Sequence, residues 1–102
     1  MIMEGKRLAL DEQGAVHIES FGVEPPTDHQ IVIRVACSQI SAGSEMNVVR
    51  QRRQIPGATG PGASRTLGYT TVGRVLARGA AVTQWEIGER VLCFGNHGSH
   101  WT

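Results

Sequence analysis

Apolar and polar positions alternate along much of the chain. Gln30-Ile31-Val32-Ile33-Arg34-Val35-Ala36-Cys37-Ser38 gives the clearest strand, with Ile31, Ile33 and Val35 on one face and Val32 and Arg34 on the other. Lys6–Leu10 and Ala15–Glu19 flank Asp11-Glu12-Gln13-Gly14, which predicts a hairpin with Gly14 at positive φ. From Leu67 to Val91 the pattern reads as a β-meander. Tyr69, Thr71, Val72, Val75 and Leu76 form its strand, Gly79 and Gly88 supply turns, and Val82, Trp85 and Ile87 plug the loop onto the core. Leu92-Cys93-Phe94 completes a further strand. Met46 to Arg53 predicts one or two helical turns, with Ser44 as N-cap and Glu45 near the helix's positive end. The prolines at 25 and 26 stop a strand, and Gln54 to Ser64, with Pro56, Gly57, Gly60, Pro61 and Gly62, reads as an irregular loop. The expected core is Ile31, Ile33, Val35, Ile40, Val49, Val72, Val75, Val82, Ile87, Val91 and Leu92.

Composition narrows this picture. The 102 residues, with 13 glycines and 4 prolines, fit a single turn-rich, mostly β domain spanning 1–102 with a modest core. A net charge of +1 argues against a nucleic-acid or anionic-membrane partner. No apolar run reaches the roughly 20 residues of a membrane span, and the start lacks a signal-peptide core. The two cysteines, Cys37 and Cys93, are expected as buried free thiols of a cytoplasmic protein. Gly60-Pro61-Gly62 lacks the third glycine and the strand–helix setting of a dinucleotide fingerprint. His97 and His100 lie three apart among turn residues with no third ligand suggested, so no metal is expected there. Arg50, Arg52 and Arg53 read as a solvated helix face. A phosphate- or carboxylate-binding cluster is the functional alternative.

The stretch 67–91 also carries a resemblance. Gly68, Gly73, Val75, Gly79, Val82, Thr83, Trp85, Gly88, Glu89, Arg90 and Val91 follow the spacing of a Gly-His-Glu-x-x-Gly-x-Val strand and a V-T-x-F-x-x-G-D-R-V segment. Trp replaces Phe and Glu replaces Asp. This resembles the N-terminal GroES-like substrate domain of the medium-chain dehydrogenase/reductase superfamily. The strand at 31–35 is similar to the family's E-V-L-V-R-V. The resemblance implies a GroES-like partial β-barrel with one short helix.

In zinc-dependent members of that superfamily, a Cys after the long strand and the His of Gly-His-Glu hold a catalytic metal, sometimes with the Glu. Here Ser41 or Ala42 stands in the cysteine's place, Tyr69 in the histidine's and Thr70 in the glutamate's. The four-cysteine structural lobe is absent. The departures resemble a zinc-free branch that includes bacteriochlorophyllide dehydrogenase. By that resemblance Ser44 matches the hydroxyl residue that exchanges a proton with the substrate oxygen, as part of a relay. Glu45 orients the loop, and Tyr69 and His97 line the substrate cleft. Taken singly, each has a structural role to compete with: Ser44 and Glu45 suit a helix start, Tyr69 suits a strand and His97 sits among turn residues.

The family's chemistry is hydride transfer, with the nicotinamide lying between this domain and a Rossmann domain. The expectation is therefore no cofactor bound by this chain alone, and NAD(P) only with a partner Rossmann domain. An incomplete barrel leaves strand edges open, so a homo-oligomer or a separate nucleotide-binding chain is the expected partner. The alternative reading is a stand-alone β-module for small-ligand binding or protein interaction. A co-chaperonin-like ring rests on fold analogy alone.

Overall fold

The structure, a computed structural model, describes residues 2–54 and 65–102. Met1 and the 55–64 loop lie outside the described residues, so most of the irregular loop read at Gln54 to Ser64 does too. Strands dominate: β1 (Met3–Leu10), β2 (Val16–Val23), β3 (Ile31–Ser38), β4 (Arg65–Thr66), β5 (Thr71–Arg78), β6 (Arg90–Cys93) and β7 (His100–Trp101), with one helix, α1 (Ala42–Gln54). They form two antiparallel sheets, ordered β2-β1-β4 and β6-β5-β3-β7. This is the mostly β architecture with a single helix that the pattern predicts.

The β1–β2 hairpin pairs from Met3↔Val23 to Leu10↔Val16. Its turn is built by Asp11, whose Oδ1 accepts the N–H groups of Gln13 and Ala15 at 2.9 Å each, and by Gly14 at φ 82°. Those hydrogen bonds, that from Ala15 above all, hold the Asp11 carboxyl below its usual range.

β3 pairs with β5 along its whole length, with irregularities between Val32 and Ile33 and between Val35 and Cys37. The first leaves Leu76 of β5 unpaired and the second leaves Ala36 of β3 unpaired. Val32 and Ile33 still face opposite ways, and both are buried because both faces are covered there: Ile33 packs with Val75 and Val91, and Val32 lies beside Val23, Pro25 and Pro26.

The core is two small clusters. One holds Leu10, Val49 and Leu67 with Val48 against it. The other holds Ile33, Val75 and Val91, with Ile31, Cys93 and Trp101 packed on it. Three residues expected in the core are on the surface: Ile40 at 74%, Ile87 at 64% and Leu92 at 71% exposure. Val91 faces in, so its strand neighbour Leu92 must face out. Ile40 and Ile87 lie in connections outside the sheets. Of the three expected plugs only Val82 is buried, and Phe94 lies beyond the end of β6. Cys37, expected inside, is exposed.

The helix is longer than expected, at 13 residues. Ser41, not Ser44, caps it: the Glu45 N–H bonds the Ser41 carbonyl at 2.9 Å, and the Glu45 carboxylate accepts the Ser41 N–H at 2.5 Å. Its last turn clamps the hairpin. Arg52 Nε donates to the Asp11 carbonyl at 2.9 Å and Arg53 Nε to the Gly14 carbonyl at 3.1 Å. The expected solvated arginine face is thus half structural, with Arg52 only 4% exposed and Arg50 left in solvent.

Gly79 does not take positive φ. It is needed because a Cβ there would collide with the carbonyl oxygens of Thr27 and Asp28.

Candidate functional site

The site forms where the end of β3 meets the start of β5. Register pairing sets Ser38 opposite Thr71, and the Gln39 N–H bonds the Thr70 carbonyl at 3.0 Å. This brings the Ser41–Glu45 helix start beside Gly68-Tyr69. The loop before β7 arrives by two backbone bonds: the His97 N–H to the Leu67 carbonyl at 2.7 Å, and the Leu8 N–H to the His97 carbonyl at 2.9 Å.

Five side chains meet there. The Tyr69 hydroxyl donates to Ser41 Oγ at 2.5 Å. Glu45 Oε2 takes the Ser41 N–H, and Oε1 bonds His97 Nε2. On the far side of the imidazole, Nδ1 bonds Ser38 Oγ at 2.5 Å. Glu45 and His97 are both buried, at 9% and 7% exposure. A buried carboxylate and imidazole persist only when their polar atoms are paired, and here each is bonded through both.

Gly68 fits this arrangement in two ways. Its φ of 92° suits glycine, and a Cβ there would lie 2.7 Å from His97 Cδ2. The glycine lets the backbone lie against the ring.

The sequence-derived candidates divide in space. Ser44, Glu45 and Tyr69 share a cleft of about 220 Å³, lined by Ser44, Glu45 and Val48 from the helix and by residues 65–69 across from it. That is smaller than the roughly 300–1,000 Å³ of typical ligand pockets, so the cleft by itself takes only a small part of a substrate. Ser44 is exposed, and Tyr69 is 43% exposed. His97 does not line this cleft. It sits behind it through Glu45 and borders a separate hollow of about 260 Å³ beside Lys6, Arg7 and Ile18. Tyr69 stands just before β5 rather than within it.

Sequence reading missed Ser38, and it left Ser41 only as one of two residues in the cysteine's place. No local pattern marks Ser41, because Glu45 follows it by four residues and not by the three of a capping box.

The family's zinc does not fit these residues. A catalytic zinc needs thiolate, imidazole or carboxylate donors around an open position. Of such donors the site holds only one imidazole and one carboxylate, and they bond each other directly. Among the described residues no three His, Cys, Asp or Glu side chains converge. His97 and His100 have separate partners: His100 Nδ1 bonds Ser99 Oγ at 2.8 Å. No helix among the described residues is long and apolar enough to cross a membrane.

No curated protein matches the chain. The family model described as the alcohol dehydrogenase GroES-like domain matches residues 27–100, which hold β3, the site and the meander. The chain therefore belongs to the alcohol dehydrogenase GroES-like domain family.

Proposed function

We propose that this chain is the substrate-side domain of a zinc-independent, NAD(P)-dependent oxidoreductase, and that it has no activity by itself. The observation that carries the reading is the Tyr69–Ser41 hydroxyl pair, 2.5 Å apart. By the family resemblance Tyr69 stands in the place of a metal-binding His, and Ser41 or Ala42 in the place of a metal-binding Cys, of zinc-dependent members. Here they meet as two hydroxyls, so a proton donor takes the place of a Lewis acid.

The half-exposed Tyr69 phenol exchanges a proton with a substrate carbonyl or alcohol oxygen in the cleft, and the Ser41 hydroxyl orients it. Ser44 lines the rim of the same cleft. Glu45 holds the Ser41 backbone, His97 holds Glu45, and Ser38 holds His97. These three are positioning residues. A nicotinamide held by a nucleotide-binding domain would supply the hydride.

Exposed apolar side chains favour a second reading, a self-associating binding module. Ile18, Ile40 and Phe94 are 69%, 74% and 85% exposed.

The chain has a single tyrosine, which makes a specific probe. With fluorotyrosine at 69, small ketones and alcohols shift the fluorine resonance saturably, and Ser41→Ala weakens the effect. With a nucleotide-binding domain supplied, Tyr69→Phe lowers kcat by about 100-fold or more. An unresponsive resonance, or Tyr69→Phe with full activity, overturns the oxidoreductase reading.

A further inference from the structure

The outer face of the larger sheet carries a charge pattern that the site above does not use. Strand register sets Arg34 opposite Arg74, and Arg74 opposite Arg90. Residues opposed in register share a face, about 4.8 Å apart from strand to strand. Three guanidinium side chains therefore project in one row across β3, β5 and β6, and all three residues are exposed.

None of the three forms an ion pair among the described residues. Arg74 donates one bond, to the Gly88 carbonyl at 2.8 Å, which leaves its charge uncompensated. On the other flank, Arg34 is opposed by His100, which is buried with Nε2 unpartnered. Like charges set directly across strands are destabilising. The row is a cost to the isolated chain that an anionic partner would offset.

Next to this row lies an apolar one. Cys37 opposes Val72, and Val72 opposes Leu92. Leu92 is 71% exposed, and Phe94 just beyond it is 85% exposed. Both rows end at β6, the outermost strand of its sheet. Arg90 and Leu92 are two residues apart on that strand and so face the same way.

We propose that the β6 edge docks an extended segment of a partner protein, one that places a carboxylate beside Arg90 and an apolar side chain beside Leu92. Strand addition would supply the backbone hydrogen bonds, and the two rows would supply the selectivity. The partner's signature is an acidic and an apolar residue in alternate positions. This inference is independent of the oxidoreductase reading.

The test titrates an end-capped peptide of alternating Glu and Leu into the folded chain, read by fluorescence anisotropy and by amide exchange in β6. Binding is expected to weaken with salt and to slow exchange in β6. Arg90→Glu or Leu92→Glu is expected to weaken it at least tenfold. Both positions are exposed, so either variant keeps the inference testable should the other fail to fold. Equal binding of a Lys–Leu peptide, equal competition by inorganic phosphate, or binding that survives both variants overturns it. So does self-association that Arg90→Glu abolishes, since a second copy would then be the occupant.

Discussion

Replacing Gly68 by alanine adds one methyl group and tests the core of the site. At φ 92° an L-residue costs about 1–2 kcal/mol. The new Cβ would lie 2.7–2.8 Å from three atoms of the His97 ring. Favourable carbon contacts lie near 3.5–4.0 Å, so the ring must retreat by nearly 1 Å. It is held at both nitrogens, by Glu45 and by Ser38, and retreat strains or breaks the Glu45 bond. A buried polar group left unpaired costs about 1–3 kcal/mol more. The sum, about 2–5 kcal/mol, is a large part of the roughly 5–15 kcal/mol that holds a domain folded. In urea unfolding the midpoint should fall by on the order of 1–2 M. Gly43→Ala is the matched control, because a Cβ there meets nothing within 4 Å and the residue is helical. It should leave stability unchanged or raise it by up to about 1 kcal/mol. If Gly68→Ala unfolds at the wild-type midpoint, His97 is not pinned as described.

Three further outcomes are expected. Glu45→Ala strands both the Ser41 N–H and His97 Nε2, and should cost on the order of 2–6 kcal/mol in denaturant unfolding; Glu45→Gln, which keeps an acceptor, should cost less. Arg52→Met keeps the buried stem but loses the bond to the Asp11 carbonyl, which should cost about 1–3 kcal/mol and speed amide exchange in the β1–β2 turn. His100 has its pKa lowered from 6.5, first by burial and then by the charge of Arg34. Its folded pKa is below its unfolded one, so its contribution is complete above pH 6.5 and declines as pH falls below that value. Thermal unfolding from about pH 7 to about pH 5 should therefore destabilise wild type more than His100→Gln. Equal slopes would contradict this.

What the sequence makes legible is local. The Asp11–Gly14 turn, the β3 and β5 strands and the presence of a helix after β3 all follow from residues a few positions apart. The helix length does not. Gly43, Val48 and Val49 are weak helix formers, and what extends α1 to Gln54 is tertiary: Val49 packs on Leu10 and Leu67, while Arg52 and Arg53 bond the hairpin. The β3 irregularities are likewise invisible to a period of two. Val32 keeps its expected face, and its burial comes from Val23, Pro25 and Pro26, which the alternation alone does not place there.

The candidate site was half legible. The resemblance pointed to Ser44, Glu45, Tyr69 and His97, and three of these do share the cleft. The Glu45–His97 bond joins residues 52 positions apart, and no local pattern announces it. Ser38 was hidden for the same reason: it is an ordinary strand-end serine until the 95–99 loop folds over it. Ser41 displaced Ser44 as the helix cap, and it is the hydroxyl that Tyr69 reaches.

In the proposed reading, a hydroxyl, carboxylate and imidazole network stands where zinc-dependent members of the resembled superfamily hold their metal. Equilibrium dialysis of the folded chain against zinc, followed by metal analysis, tests it most directly. Substoichiometric zinc, unchanged by His97→Asn, is expected. One zinc per chain, lost on that substitution, would contradict it.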